Sequence, residues 1–197
     1  MKDNQRKFIY TAMFAAVVVV LQMFVSIPVG VFTITLTLVP IMLGAILFGP
    51  LSGAVLGGVF GVVVAIQVAT GAAGYASSVM LAQAPVITVV LCILKGAVAG
   101  LVSGLIYEAV IKLEKPELAV ILSAVACPIV NTGIFCIGLA VFYNNLLNAW
   151  ALEGHYANAF TFIILGLIGV NFLVEFTVNV LLLPVTLRMI KIVKKLI

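Results

Sequence analysis

Along most of this chain the apolar positions do not alternate with polar ones; they run on. Continuous apolar stretches cover residues 8–27, 34–48, 51–70, 86–111, 118–143 and 161–187, and short segments richer in Gly, Pro, Asn and charge separate them. A run of about 20 apolar residues crosses a bilayer as a helix, whereas a membrane barrel strand is about half as long and alternates in polarity. The pattern therefore predicts an all-α fold, a bundle of six transmembrane helices. In the second run, the shortest, Pro40 falls in the middle, so neighbours or water must satisfy the carbonyl that its ring leaves without a donor.

Charge then orients the bundle. Lys2, Arg6 and Lys7 precede the first run, Lys112 and Lys115 lie between the fourth and fifth, and Arg188, Lys191, Lys194 and Lys195 follow the sixth. The alternate connections, 28–33, 71–85 and 144–160, hold no Lys or Arg. Basic residues collect on the cytoplasmic side, so both termini are expected there. The first run is too long for the apolar core of a signal peptide and is expected to be retained.

Composition supports the same reading: 65% of residues are hydrophobic, 8% are charged and the mean hydropathy is +1.39. A soluble surface needs about a quarter of its residues charged. Connections such as Gly49-Pro50 and 112–117 leave no room for another folded unit, which predicts one membrane domain over residues 1–197. The net charge of +4 belongs to the membrane-flanking segments, where it meets anionic lipid headgroups rather than nucleic acid.

Several chemistries are missing from the sequence. No Lys is followed by Ser or Thr, which removes the phosphate-cradling loop of an ATPase. His155 is the single histidine and sits beside Glu153 in a polar connection, where solvation is its expected fate. Cys92, Cys127 and Cys136 are dispersed through apolar runs without C-x-x-C spacing and read as packing residues. No catalytic group, metal site or cofactor is indicated. Glu108 and Lys112 stand at i and i+4 and can pair on a helix surface.

Small residues mark helix contacts. Gly53, Gly57 and Gly61 recur every fourth residue in the third run, and Gly96, Gly100 and Gly104 in the fourth, the spacing of close helix packing in lipid. Ala12 and Ala16 form an A-x-x-x-A face near the cytoplasmic end of the first run, a candidate docking face for another membrane protein.

The candidate site is a set of polar residues at one depth. At 1.5 Å per residue from the outer end of each run, Lys95 lies about 15 Å deep, Asn171 about 16 Å, Asn131 about 18 Å and Glu175 about 22 Å. A charge near the bilayer centre costs at least about 2.5 to 3.5 kcal/mol, so Lys95 and Glu175 need partners or a wet cavity. Either they form an ion pair tying the fourth run to the sixth, or they line a solute cavity between the last three helices, open to the outside. In the second case Lys95 suits an anionic group, while Asn131 and Asn171 read hydroxyls or amides. If Glu175 neutralises Lys95, a neutral or zwitterionic solute fits instead. The glycine-rich connection at Gly71 to Tyr75, with Gln83 before Pro85, is a candidate lid that brings Tyr75 and Gln83 to the solute, though Tyr75 equally suits an interfacial anchor. Tyr143, Trp150 and Tyr156 read as interfacial aromatics.

Two stretches carry a family resemblance. Leu38 to Pro50, continuing through Gly53-Ala54 to Gly57, resembles the second and third helices of the substrate-binding S components of energy-coupling factor vitamin transporters. The Ala12/Ala16 face is similar to the first-helix motif by which that family docks on its transmembrane coupling subunit. Gly166 to Glu175, with Asn179 and Pro184, resembles the pantothenate-type branch. The resemblance implies a vitamin-binding subunit of a prokaryotic cell membrane that works with a coupling subunit and two cytoplasmic ATPases. It implies a ligand held in the outer half and delivered inward as the subunit topples. Pantothenate is then the leading ligand, with riboflavin, folate or another vitamin as alternatives. Outside this class stand an ion-coupled secondary transporter using Glu175 and a structural membrane subunit with no cavity.

Overall fold

The computed structural model describes residues 3–25, 27–29, 32–34 and 36–196; for residues 3, 4, 27–29, 32–34, 167–171, 191 and 193–196 it describes the backbone. Helices dominate: α1 (Asp3–Phe24), α2 (Leu38–Phe48), α3 (Pro50–Ala69), α4 (Tyr75–Gln83), α5 (Pro85–Ile111), α6 (Pro116–Phe142), α7 (Asn144–Glu153), α8 (Ala159–Thr161), α9 (Leu173–Leu181) and α10 (Leu183–Leu196). A π-helical stretch, Phe162–Phe172, joins α8 to α9. The all-helical expectation meets one exception, a two-stranded antiparallel ribbon of β1 (Ile27–Val29) and β2 (Phe32–Ile34), which pairs Ile27 with Ile34 and Val29 with Phe32.

Proline and glycine set the boundaries. Pro50, Pro85 and Pro116 each begin a helix, where a missing N–H costs nothing because that position has no helical acceptor. Gly49 stands between α2 and α3 at φ 102°, a left-handed conformation that side chains resist. The connection at 71–85, expected as a glycine-rich loop, holds a short helix. Gly71 and Gly74, at φ 78° and 93°, turn the chain into the nine-residue helix α4.

Among the described residues, four helices are long and apolar enough to cross a membrane: Gln5–Phe24, Pro50–Ala69, Pro85–Ile111 and Pro116–Phe142. A fifth span is reached if α9 and the start of α10, which meet at a 46° bend, count as one. The second apolar run departs from its expected course, because β2 and the residues before Leu38 take its first part and leave α2 only 11 residues. At 1.5 Å per residue α2 is about 16 Å long, roughly half the hydrocarbon thickness. Pro40 therefore sits in the first turn of α2 and not in its middle, where its absent donor leaves no gap in the ladder.

What α2 lacks in length it makes up in burial. Leu38, Ile41 and Met42 are fully enclosed, and α2 packs against α1, α3, α5, α6 and α10. Its side chains join Val18, Leu56, Phe60, Ala124 and Ile190 in one apolar core.

The two glycine rows face each other. Gly53 lies against the Gly100 carbonyl, Gly57 against that of Gly96, and Gly61 against Cys92 and Ile93, so α3 and α5 run antiparallel with backbones touching. Gly104 meets Pro50 in the same seam, and Ser103 and Ser123 lock α5 to α6 with hydroxyls 2.7 Å apart.

A methyl at Gly57 would enter the Gly96 carbonyl, backbone that cannot step aside, whereas Gly58 has open space around it. Gly57→Ala should lower stability by about 1 to 3 kcal/mol, and Gly58→Ala should be neutral or slightly stabilising. Thermal unfolding of the two variants in one detergent checks the pair.

Candidate functional site

At the end of the bundle opposite Lys7 and Pro50 the helices enclose a chamber. Its volume is about 80 Å³. Val64 and Val68 of α3, Ser77 and Met80 of α4, and Thr88, Cys92 and Lys95 of α5 form one side. Asn131, Thr132, Phe135 and Cys136 of α6 and Glu175 of α9 form the other. The expected walls, the last three helices alone, are thus incomplete, because α3 and α4 contribute as well.

The structure brings Lys95, Asn131 and Glu175 to this one chamber. Lys95 is half-buried and holds its ammonium 4.5 Å from the centroid of the Phe135 ring. The face of an aromatic ring offsets part of the cost of carrying a cation out of water. Asn131 is 6% exposed, and its Oδ1 is buried without a hydrogen-bond partner among the described residues. Glu175 is 8% exposed, and the Asn179 amide donates to its backbone carbonyl at 2.8 Å. Asn171 belongs to the π-helical stretch one turn above Glu175, and its side chain lies outside the described residues.

Two predicted site residues stand elsewhere. Tyr75 begins α4 with 80% of its surface exposed, and Gln83 ends that helix exposed; neither lines the chamber. Because α4 is a helix and not a loop, the residues it turns inward are Ala76, Ser77 and Met80. Tyr143 is no interfacial residue either. It is fully buried, and its hydroxyl lies 2.7 Å from that of Thr88 and 3.3 Å from the Ala84 carbonyl, fixing the corner between α4 and α5. Trp150 and Tyr156 are partly buried and pack edge-on against Phe162.

Ser77, Thr88, Thr132 and Phe135 were missed by sequence reasoning. A signal existed for one of them: Thr88, Cys92 and Lys95 fall at i, i+4 and i+7, one face of a helix. The cysteines divide accordingly, Cys127 packing in the core while Cys92 and Cys136 line the chamber.

A separate polar cluster braces the chamber-side half of α1. The Gln22 amide donates to Gln67 Oε1 at 2.8 Å, the Gln67 amide donates to the Gln22 carbonyl at 3.0 Å, and the Thr37 hydroxyl donates to Gln22 Oε1 at 3.0 Å. At the other end, Thr11 donates to the Ser52 hydroxyl at 3.1 Å and Tyr10 stacks on Phe48. Beside them a groove of about 330 Å³ runs between α1 and α3, lined by Phe8, Thr11, Ala12, Ala15, Leu51 and Val55 among others. Ala16 lies exposed one turn further along α1.

Over residues 6–187 the chain matches the family model described as ECF transporter, substrate-specific component. It belongs to that family. Proteins of this kind, S components, are transport subunits and not catalysts. A solved structure described as ThiT from Listeria monocytogenes shares the fold at a TM-score of 0.64, covering 96% of this chain and 99% of that one at 20% identity. No curated protein matches the sequence.

The Thr88 and Tyr143 hydroxyls give this S component a second measurable brace. Tyr143→Phe should lower stability by about 1 kcal/mol, since Thr88 keeps the Ala84 carbonyl 2.8 Å away as a partner. Chemical or thermal unfolding against the parent protein reads this directly.

Proposed function

We propose that this S component binds a small vitamin carrying an anionic group and several hydrogen-bond donors, with pantothenate as the leading candidate. The observation that carries the reading is the buried Oδ1 of Asn131, without a partner among the described residues, on a residue of the wall of a chamber that also holds Lys95 and Glu175. Buried acceptors are almost always satisfied, so a bare one beside a cavity calls for a donor from the occupant. Pantothenate offers its carboxylate to Lys95 and its hydroxyls and amide N–H to Asn131 and its neighbours. A ligand that is only cationic would face the Lys95 ammonium instead.

In this reading the chain is one membrane domain of six membrane segments, α2 being the short one, with both termini in the cytoplasm and the chamber facing outward. The Ala12 groove between α1 and α3 receives a helix of the transmembrane coupling subunit, and two cytoplasmic ATPases supply the energy. The membrane is the prokaryotic cell membrane.

Lys95→Ala should weaken ligand binding about 10-fold or more, the loss of a charge-assisted hydrogen bond worth about 1.5 to 3 kcal/mol. Calorimetric titration of the purified protein measures it, and unchanged affinity in a folded variant removes Lys95 from the site. Mass spectrometry of the solute retained on purification identifies the vitamin; recovery of a flavin overturns pantothenate. Ala12→Leu and Ala16→Leu should leave that affinity intact and abolish co-purification with the coupling subunit. Undiminished co-purification would show that the partner docks elsewhere.

A further inference from the structure

Three cysteines interrupt the apolar helices, and the vitamin reading uses none of them. Cys127 is fully enclosed in the core, its Sγ 3.9 Å from the Leu38 carbonyl. Cys92 and Cys136 stand instead on the chamber wall, one on α5 and one on α6, at a level where Gly138 meets Leu91. Their surroundings are not those of packing thiols. Lys95 follows Cys92 by three residues on one face of α5, and its ammonium rests on the ring of Phe135, the residue before Cys136. Among the described residues no hydrogen bond or ion pair reaches that ammonium. The same wall includes Asn131, 6% exposed, with its bare Oδ1. Of the two wall thiols Cys136 is the accessible one, being half-buried where Cys92 is 4% exposed.

We propose that Cys136 is a modification site for small acidic disulfides, which exchange with its thiol and leave a mixed disulfide filling the chamber. The Cys136 sulfur loses its proton and bonds to one sulfur of the reagent; the reagent's own S–S bond breaks, and its other half leaves as a thiolate that takes up a proton. The disulfide is itself the electron acceptor, so no other oxidant enters. Lys95 selects for acidity, because its ammonium draws an anion into a low-dielectric cleft and stands beside the negative charge that the sulfurs share during exchange. At about 80 Å³ the chamber has room for a handful of waters, and so for a short acidic chain. Glu175 is the other charged wall residue, and it lies on α9, away from the Lys95 and Phe135 pair in sequence. The modification needs the chamber but not the identity of its vitamin, and it regulates uptake by taking the place of the ligand.

The test exposes the purified full chain to anionic dithiodipropionate, neutral hydroxyethyl disulfide and cationic cystamine. Each rate is divided by that of the same reagent with a free neutral cysteine amide, and peptide mass spectrometry locates the product. Cys136 should be modified and Cys127 spared, with the normalised rate for dithiodipropionate about 10-fold above that for hydroxyethyl disulfide and cystamine slowest. Lys95→Gln should erase this order. The modified protein should lose pantothenate binding and regain it on reduction with dithiothreitol. Modification of Cys92 or Cys127 in preference to Cys136 overturns the proposal, as do equal rates for the three reagents or an order that persists in Lys95→Gln. Fastest reaction with cystamine also overturns it and gives control of the approach to Glu175. The reagent order is read on the parent protein, so the proposal stays refutable if Lys95→Gln fails to fold. A parent protein that binds no pantothenate overturns the vitamin reading alone, and the reagent order still decides this one.

Discussion

Backbone contact along the α3 and α5 glycine seam is the constraint on which the site depends. In lipid there is no hydrophobic force to press helices together, so close approach must supply its own dispersion and carbonyl contacts. Gly53 against Gly100 and Gly57 against Gly96 fix both the distance and the register of the pair. Lys95 is the residue next to Gly96, so with Gly96 held to the seam the neighbouring side chain is turned about a quarter circle away and reaches the chamber. The chamber begins where the glycines end. Beyond Gly61 the next residues on that side of α3 are Val64 and Val68, and beyond Gly96 those of α5 are Cys92 and Thr88; all four are chamber walls.

The long helices were legible because continuous apolar runs admit few other readings; the prolines at the first positions of α3, α5 and α6 emerged as helix starts only with the structure. The ends of the second run were not legible for the same reason. A segment apolar throughout has no period from which to tell β2 from α2, so the ribbon at Ile27–Ile34 and the late start at Leu38 were hidden. Glycines at 71 and 74 suggested mobility, yet they are the two left-handed turns that admit α4. The loop reading brought Tyr75 and Gln83 to the solute, whereas the helix turns Ser77 and Met80 to the chamber.

Within the chamber, legibility followed cost. Lys95, Glu175 and Asn131 stand out in apolar helices because burying each is expensive, and the structure gathers all three. Thr88, Cys92 and Phe135 are cheap in such helices and carry no warning. The aromatic ring under the Lys95 ammonium was therefore invisible until α5 and α6 were set side by side.

One turn beyond Glu175 on α9, outside the chamber wall, stands a second polar residue whose burial is costly. Asn179 is 2% exposed and donates its amide to the Glu175 carbonyl; its Oδ1, like that of Asn131, is buried without a partner among the described residues. Each bare acceptor costs about 1 to 3 kcal/mol, which leucine at either position would avoid. Sequences that keep such a cost normally recover it through function, since consistent packing elsewhere supplies the stability that the site gives up. In this chain that stability comes from the enclosed α2, the glycine seam and the Ser103 and Ser123 lock. Of the two bare acceptors, the one on a residue of the chamber wall is that of Asn131, on α6.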